Sequence, residues 1–188
     1  EYVLKPAYFK RFPEIRDYHE WGKRSVEAGA LSPTILFDQD LGRPRVVRER
    51  GGCELSAFLN TPFQSMIADI TKSAYVAATR ECYLGEKADG SPSPLAGCRL
   101  PLFVHDELVS ELPLETAHIS GPRITEIMES TASRLAPACR AWKADTALMF
   151  WLAKGAEPVE VNGKLIPWDQ EKMNAWRERH RAEGRVAA

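Results

Sequence analysis

Three adjacent polar residues between two apolar runs are the part of this sequence best suited to chemistry. His105, Asp106 and Glu107 follow the run 100–104 and precede the run 108–112. Two short strands joined by a tight turn give this pattern. A carboxylate pair at a hairpin tip is held rigidly by backbone hydrogen bonds on both sides, which suits a hard cation such as Mg²⁺. The residues alone leave open whether Asp106 is a metal ligand or an ordinary turn residue.

Two amide side chains form a second candidate site. Asn60 and Gln64 are four residues apart, so on a continuous helix they point the same way. Amides can read the minor groove of DNA, where every base pair offers a hydrogen-bond acceptor whatever its identity. The alternative is that Asn60 caps a helix and Gln64 is a surface residue, and spacing alone favours this alternative.

A basic extended strip is the third candidate. Arg43 and Arg45 alternate along the segment 43–50, so on a strand both guanidinium groups lie on one face. Such a face can bind successive phosphates. Composition alone favours the other interpretation, an edge strand whose charges prevent aggregation.

The composition is that of an ordinary soluble globular chain of 188 residues, of which 44% are hydrophobic and 27% charged. No apolar run approaches the roughly 20 residues that span a bilayer, and no basic and apolar leader begins the chain. We therefore expect no membrane association and no signal peptide. The formal net charge of −1 argues against a free-standing nucleic-acid binder, but it allows one basic strip.

Cysteine spacing argues against a zinc site or a disulfide framework. The four cysteines are widely spread with no CxxC pair: Cys53, Cys82, Cys98 and Cys139. We expect reduced and mostly buried thiols, as in a cytoplasmic protein.

The predicted elements place these candidates in an α+β chain with an antiparallel β-hairpin against long helices. Residues 1–29 should be helical, with Pro13 in the first turn of a helix and Gly29 at its end. Residues 30–52 should be a hairpin or strand pair, 53–83 one long helix or two abutting ones, and 84–97 a loop. Pro62 should kink the long segment or begin a new one. Its apolar stripe should be Phe63, Ile67, Ile70 and Ala74.

After the hairpin, the chain should contain one more long helix and a small C-terminal part. We expect a helix over 114–135, which Gly121-Pro122 either interrupts or begins, and a strand or mixed segment over 140–151. Residues 152–188 should form a tail with a tight turn at Asn162-Gly163 and a helix after Pro167, capped by Asp169.

Four stretches of the sequence resemble the family A DNA polymerases, the bacterial DNA polymerase I and phage type. Phe-Val-His-Asp-Glu-Leu-Val at 103–109 resembles the third conserved palm motif. Asn-Thr-Pro-Phe-Gln-Ser-x-x-Ala-Asp-Ile-x-Lys at 60–72 resembles the helix that contacts the terminal base pair. Ser56 stands where the family often has Arg, and Ser65 where it usually has Gly. Residues 8–16 resemble the segment after the fingers, and Gly42 to Arg45 the family's Gly-Arg-Arg-Arg run.

The resemblance implies a palm-type fold that carries out nucleotidyl transfer in the cytoplasm of a bacterial or phage-infected cell. Asp106 would bind Mg²⁺, Glu107 would be a secondary or water-mediated ligand, and His105 would lie near the primer end. The resemblance also implies that DNA is contacted by Arg43, Arg45, Asn60 and Gln64. The substrates would be primer–template DNA and dNTP.

Two family motifs do not occur in the sequence: the Asp-Tyr-Ser-x-x-Glu type motif, which supplies the second metal-binding Asp, and the fingers helix that binds the triphosphate. We therefore expect residues 1–188 to be the C-terminal part of a polymerase palm, starting at Glu1 inside a longer protein. It would be incomplete, and inactive, without a second polypeptide carrying the remaining palm, fingers and thumb. The alternatives are a catalytically silent DNA-binding or scaffolding module and, more weakly, a metal-dependent hydrolase.

Overall fold

The computed structural model describes residues 4–29, 54–139 and 141–182. The strand pair expected over 30–52 therefore lies outside the described residues, as does Cys53. The described elements, in chain order, are α1 (Leu4–Arg11), α2 (Pro13–Glu27), α3 (Leu55–Leu84), β1 (Arg99–Val104), β2 (Glu107–Glu111), α4 (Ala117–Leu135), β3 (Val159–Val161), β4 (Lys164–Ile166) and α5 (Gln170–Ala182). Helices and two antiparallel two-stranded sheets confirm the α+β class.

The chain divides into two compact units, Glu1–Asp69 and Ile70–Ala188. In the first unit, α2 packs on the first turns of α3. The hydroxyl of Tyr18 donates a hydrogen bond to the carbonyl of Leu59 at 2.8 Å. The ring centroids of Trp21 and Phe58 are 5.4 Å apart. These contacts fasten the segment of α3 that carries the predicted amide pair.

Both predicted ends of α2 are confirmed. Pro13 is its first residue, where the missing N–H group costs no helical hydrogen bond. Gly29 follows the helix with a φ of 68°, the left-handed conformation that glycine adopts at little cost.

The segment predicted as one helix or two is the single helix α3, which continues through Pro62. The predicted apolar stripe is wrong at Phe63, which is 47% exposed, although Ile70 and Ala74 are buried. The buried residues of α3 include instead Phe58, Leu59, Pro62, Met66, Ile70, Ala74 and Ala78. The difference is confined to the first turns of α3, where Phe58 and Leu59 pack on α2 and Phe63 meets the Tyr18 ring edge-on.

The core of the second unit lies between α3, the loop 85–98, the hairpin β1–β2 and α4. Its buried members are Ala74, Ala78, Cys82, Leu95, Cys98, Leu100, Ile124 and Ile127. The loop is ordered by side chains: fully buried Ser120 donates a hydrogen bond to the carbonyl of Pro94 at 2.7 Å. The predicted loop is confirmed over residues 85–97, whereas Leu84 is the last residue of α3, and the loop packs against both helices.

A cluster of charged and polar side chains crosses this core, and we call Glu81, Ser93 and Arg123 the polar anchor. Arg123 of α4 makes a bidentate ion pair with Glu81 of α3, and the Ser93 hydroxyl donates to the same carboxylate at 2.6 Å. The side chains of Glu81 and Arg123 are only 9% and 14% exposed. Burial raises the pKa of Glu81, but hydrogen bonds from Arg123 and Ser93 outweigh burial and hold that pKa below its ordinary value.

Helix α4 begins at Ala117 and runs through Gly121-Pro122, so that pair neither interrupts nor starts it. Its buried residues include Ile124, Ile127 and Leu135. Gly121 is needed there because a Cβ atom would lie 2.8 Å from the Cγ2 atom of Thr146.

The strand considered for 140–151 is absent from the described residues 141–151, where Leu148 forms only an isolated bridge with Pro167. Side chains take the place of a neighbouring strand. The carboxylate of Glu129 accepts the N–H group of Ala144 at 3.0 Å, and Thr146 hydrogen-bonds to Thr125. The segment is therefore irregular but fixed along α4.

In the C-terminal part, β3 and β4 pair through Asn162 and Gly163, with φ values of 51° and 72°. Two positive φ values are typical of the tight Asn-Gly turn that the sequence predicts. Asp169 precedes α5 as expected, but its buried carboxylate accepts the N–H groups of Phe150 and Trp151, at 2.8 and 3.1 Å. It thereby ties α5 to the irregular segment.

Three described cysteines are free: Cys82 and Cys98 are buried, and Cys139 is exposed. This agrees with the prediction of thiols without a disulfide framework, except that Cys139 reaches the surface. No helix in the described part of the chain has the length and apolar character to cross a bilayer.

We expect Arg123→Ala to lower the free energy of unfolding by about 3 kcal/mol at pH 7, because it leaves the Glu81 carboxylate buried without its cation. Urea unfolding measures this change. Arg134→Ala, at an exposed position of the same helix, is the matched control, with a change within about 0.5 kcal/mol.

The loss of unfolding free energy in Arg123→Ala should depend on pH. With Arg123 present, the folded pKa of Glu81 is depressed, so its stabilisation is present above the unfolded pKa and is lost as pH falls through the folded pKa. In the variant the hydrogen bond from Ser93 remains, but Arg123 no longer offsets burial, which is the largest influence on the pKa of Glu81 and favours the protonated form. The stability gap between the two proteins should therefore narrow on acidification, and a gap constant from pH 7 to pH 3 would contradict the role of the ion pair.

Candidate functional site

The predicted hairpin is confirmed. Strand β1 pairs antiparallel with β2 in a register that places Val104 opposite Glu107 and Phe103 opposite Leu108. His105 and Asp106 form the two-residue turn, and Glu107 is the first residue of β2 rather than part of the turn. The three side chains are exposed, so all three can reach a ligand from solvent.

The turn holds His105 in a conformation that few side chains adopt, with a φ of 54°. Two-residue hairpin turns need positive φ because this twist matches that of the flanking strands. Histidine, with asparagine and aspartate, is among the residues that tolerate the left-handed region best. The tightness of the turn places Asp106 and Glu107 side by side at the end of a paired ladder.

The inner face of the hairpin is held by α3. Tyr75 donates a hydrogen bond from its hydroxyl to the carbonyl of Leu100 at 3.0 Å, and its ring centroid lies 6.2 Å from that of Phe103. Leu108 packs against the core of the unit. The strand register is irregular between Arg99 and Leu102, where Pro101 lacks the N–H group that a ladder needs. The hairpin is thus fixed from within while its tip faces outwards.

The tip carries the two carboxylates that the sequence predicts as magnesium ligands. Carboxylate oxygens are the protein ligands that Mg²⁺ prefers, and Asp106 and Glu107 offer them on a rigid support. No three His, Cys, Asp or Glu side chains converge into a metal-binding group within the described ranges. The assignment of Asp106 and Glu107 as Mg²⁺ ligands therefore stays a prediction.

The amide pair lies on α3 within the first unit. Asn60 and Gln64 are both exposed and stand one helical turn apart, as predicted. Asn60 cannot be the helix cap, because α3 begins at Leu55 and the carbonyl of Glu54 accepts the N–H group of Phe58. Ser56, one turn before Asn60, is exposed too. The exposed positions 56, 60 and 64 thus follow one another at successive turns of the helix.

The predicted phosphate contacts of Arg43 and Arg45 lie outside the described residues. Two supports of the site were not foreseen from sequence. Tyr75 carries no special signal within a helix of mixed composition, and Glu81 and Arg123 are 42 residues apart, so no local pattern connects them. The sequence signal that could have indicated this ion pair is a charged residue on an otherwise apolar helix face, because a buried charge needs a partner.

Most of this chain resembles known proteins. The sequence model of the protein family described as "DNA polymerase family A" matches residues 3–140. The chain is 36% identical over 131 residues to the thermostable DNA polymerase I of Thermus filiformis, a match that covers 65% of this chain and 14% of that protein. It is 29% identical over 136 residues to DNA polymerase I of Rhizobium leguminosarum, covering 69% of this chain and 12% of that protein.

The matched region is thus about one seventh or less of the length of these two relatives. No solved structure matches the chain significantly. The match to the family model ends before β3, β4 and α5.

The positive φ of His105 leads to a prediction about stability. His105→Val should destabilise the protein by about 1–2 kcal/mol more than His105→Gly, because a left-handed conformation is costly for a β-branched side chain and free for glycine. Thermal unfolding monitored by circular dichroism measures the difference. Asn162, with a φ of 51° at the same place in the other hairpin, is the matched site for the same two substitutions. Equal stability of the Val and Gly variants at position 105 would contradict the turn geometry.

Proposed function

The chain belongs to DNA polymerase family A, and on that premise we propose that it is the C-terminal palm part of a DNA-templated DNA polymerase. The observation that carries the proposal is the hairpin tip, where Asp106 and Glu107 are adjacent, exposed and supported by Tyr75 from the inner face. A binding or scaffolding role needs no exposed carboxylates at a strained turn. Nucleotidyl transfer needs such carboxylates to hold metal ions.

In this proposal, Mg²⁺ activates the primer hydroxyl and stabilises the charge that develops on the phosphates of the dNTP. Asp106 would bind the metal directly, and Glu107 would bind it through water or orient Asp106. His105 would position the primer end. The second metal-binding Asp would come from a part of the polymerase that this sequence does not contain.

Primer–template DNA is the proposed partner of the exposed amides. Asn60 and Gln64 project from a helix that α2 holds through Tyr18, so little conformational freedom is lost when they meet the minor groove. The groove offers an acceptor at every base pair, which allows contact without sequence preference. Arg43 and Arg45 would bind the DNA backbone.

A second polypeptide carrying the remaining palm, fingers and thumb is the other proposed partner. The proposal is supported by the absence from this sequence of a triphosphate-binding helix, which nucleotidyl transfer needs. The complex would act in the cytoplasm of a bacterial or phage-infected cell, with residues 1–188 as one palm segment.

A catalytically silent DNA-binding module is the second candidate. It is favoured by Ser56, which is exposed one turn before Asn60, where the family often has an Arg. A serine at that position gives no cationic contact to DNA. Such a module would keep DNA binding through Asn60 and Gln64 and have no use for Asp106.

The test is primer extension by this chain reconstituted with the polypeptide that supplies the rest of the polymerase, with Mg²⁺ and all four dNTPs. We expect activity only in the complex. Asp106→Ala should lower the rate at least about a thousandfold, because metal ligation contributes several kcal/mol to the transition state. DNA binding and the melting temperature should stay unchanged, since the side chain is exposed.

Asp89→Ala is the matched control, since Asp89 is an exposed aspartate in the loop 85–98 whose carboxylate bonds only locally, to Ser91. Its complex should extend primers at the wild-type rate. An Asp106→Ala complex that is as active as wild type would contradict the metal role. A wild-type complex that binds DNA but extends no primer would favour the silent module.

A further inference from the structure

Helix α5 carries cations and an aromatic ring on one exposed face. Lys172, Trp176 and Arg179 are spaced four and three residues apart, so they fall within about 60° around the helix axis. Lys172 and Arg179 are exposed, and Trp176 is 36% exposed. The face therefore presents a cation, a ring and a second cation in turn, over about 10 Å of helix.

Trp168, just before the helix, extends this face. The ammonium nitrogen of Lys172 lies 4.9 Å from the centroid of the Trp168 ring, and Trp168 is 36% exposed. We call Trp168, Lys172, Trp176 and Arg179 the α5 stripe.

The acidic residues of α5 lie away from the stripe. Glu171 and Glu178 are seven residues apart and share another face, about 100° from the stripe. Both are exposed on that other face, so a ligand bound on the stripe would not lie over their carboxylates. The chain has a net charge of −1, yet this one surface separates positive from negative charge.

The remaining side of α5 holds the helix on its unit. Arg177 lies 5.7 Å from the centroid of the Phe150 ring, and Met173 is half-buried. The carboxylate of Asp169 binds the backbone at Phe150 and Trp151. These contacts attach α5 to its unit before its first residue and at Arg177, while the side chains of the α5 stripe lie together on an exposed face.

We propose that the α5 stripe binds single-stranded DNA, with the tryptophan rings stacking on bases and with Lys172 and Arg179 contacting phosphates. Alternating rings and cations are the common solution for binding single strands without sequence preference, because every base has a stacking face. The proposal rests on the proposed function, since it takes DNA as the substrate class. It goes beyond that function because α5 lies outside the region matched by the family model.

The experiment measures binding of a fluorescein-labelled oligo(dT) 20-mer to the full chain by fluorescence anisotropy. Trp176→Ala should weaken binding about tenfold, the loss expected when one base–aromatic stack is removed. Trp176→Phe keeps a ring and should stay close to wild type. The double variant Lys172→Gln with Arg179→Gln should also flatten the plot of log K against log salt by about 1.4, or about 0.7 for each phosphate contact.

Two controls separate the stripe from general surface effects. Glu171→Gln with Glu178→Gln changes the same number of charges on another face of the same helix, and should not weaken binding. Tyr83→Ala removes an aromatic side chain that is 86% exposed on α3, and should leave binding unchanged. Circular dichroism establishes that each variant is folded.

Unchanged oligo(dT) binding by folded Trp176→Ala would overturn the proposal. So would a concentration-dependent dimer, seen by sedimentation, that Trp176→Ala abolishes, because the stripe would then serve a second copy of the chain. Neither result would change the primer extension expected of the complex. Conversely, a complex that extends no primer, while stripe-dependent oligo(dT) binding persists, would count against the polymerase proposal alone.

Discussion

The buried ion pair between Glu81 and Arg123 is the constraint on which the second unit depends. A carboxylate inside a protein must be matched by hydrogen bonds and by an opposite charge, or it is expelled or protonated. Here the match comes from two helices and a loop at once, because Ser93 donates to the same carboxylate. The pair therefore specifies one relative placement of α3 and α4 far more strictly than the surrounding alanines and isoleucines could.

That placement gives the hairpin a fixed support. The inner face of β1 and β2 rests on the side of α3 that carries Tyr75, and the outer end of the hairpin bears His105 and its two acidic neighbours. An isolated two-stranded hairpin is marginally stable in water, so its order comes from this packing. The groups suited to chemistry contribute nothing to the core. The parts of the unit that hold its shape and the parts that could act on a substrate are consequently separate sets of residues.

The sequence predicted those features whose causes are local. Alternation and a two-residue turn marked the hairpin, Asn162-Gly163 marked the second one, and Pro13 and Gly29 marked the ends of α2. Prediction from the sequence failed where tertiary contacts determine which side chains are buried and which backbone groups are paired. Apolar Phe63 was expected inside, but the packing of α3 on α2 left it half exposed. The segment before Trp151 has the composition of a strand, yet its backbone groups bond to side chains from α4 and to Asp169. His105, Asp106 and Glu107 lie at the end of a hairpin as predicted, but the residues of α3 and α4 that support this hairpin could not be predicted, because they are distant in sequence.

The burial of two thiols bears on oxidation. Burial raises the pKa of Cys82 to about 11 and also raises the pKa of Cys98. Oxidants and alkylating agents react with the thiolate, and the raised pKa keeps Cys82 in the thiol form at pH 7. Among the three described cysteines, Cys139 is therefore the one that peroxide reaches first. Because Cys82 and Cys98 lie in the core beside the polar anchor, their chemical inertness preserves the support of the hairpin under oxidising conditions that already modify the surface.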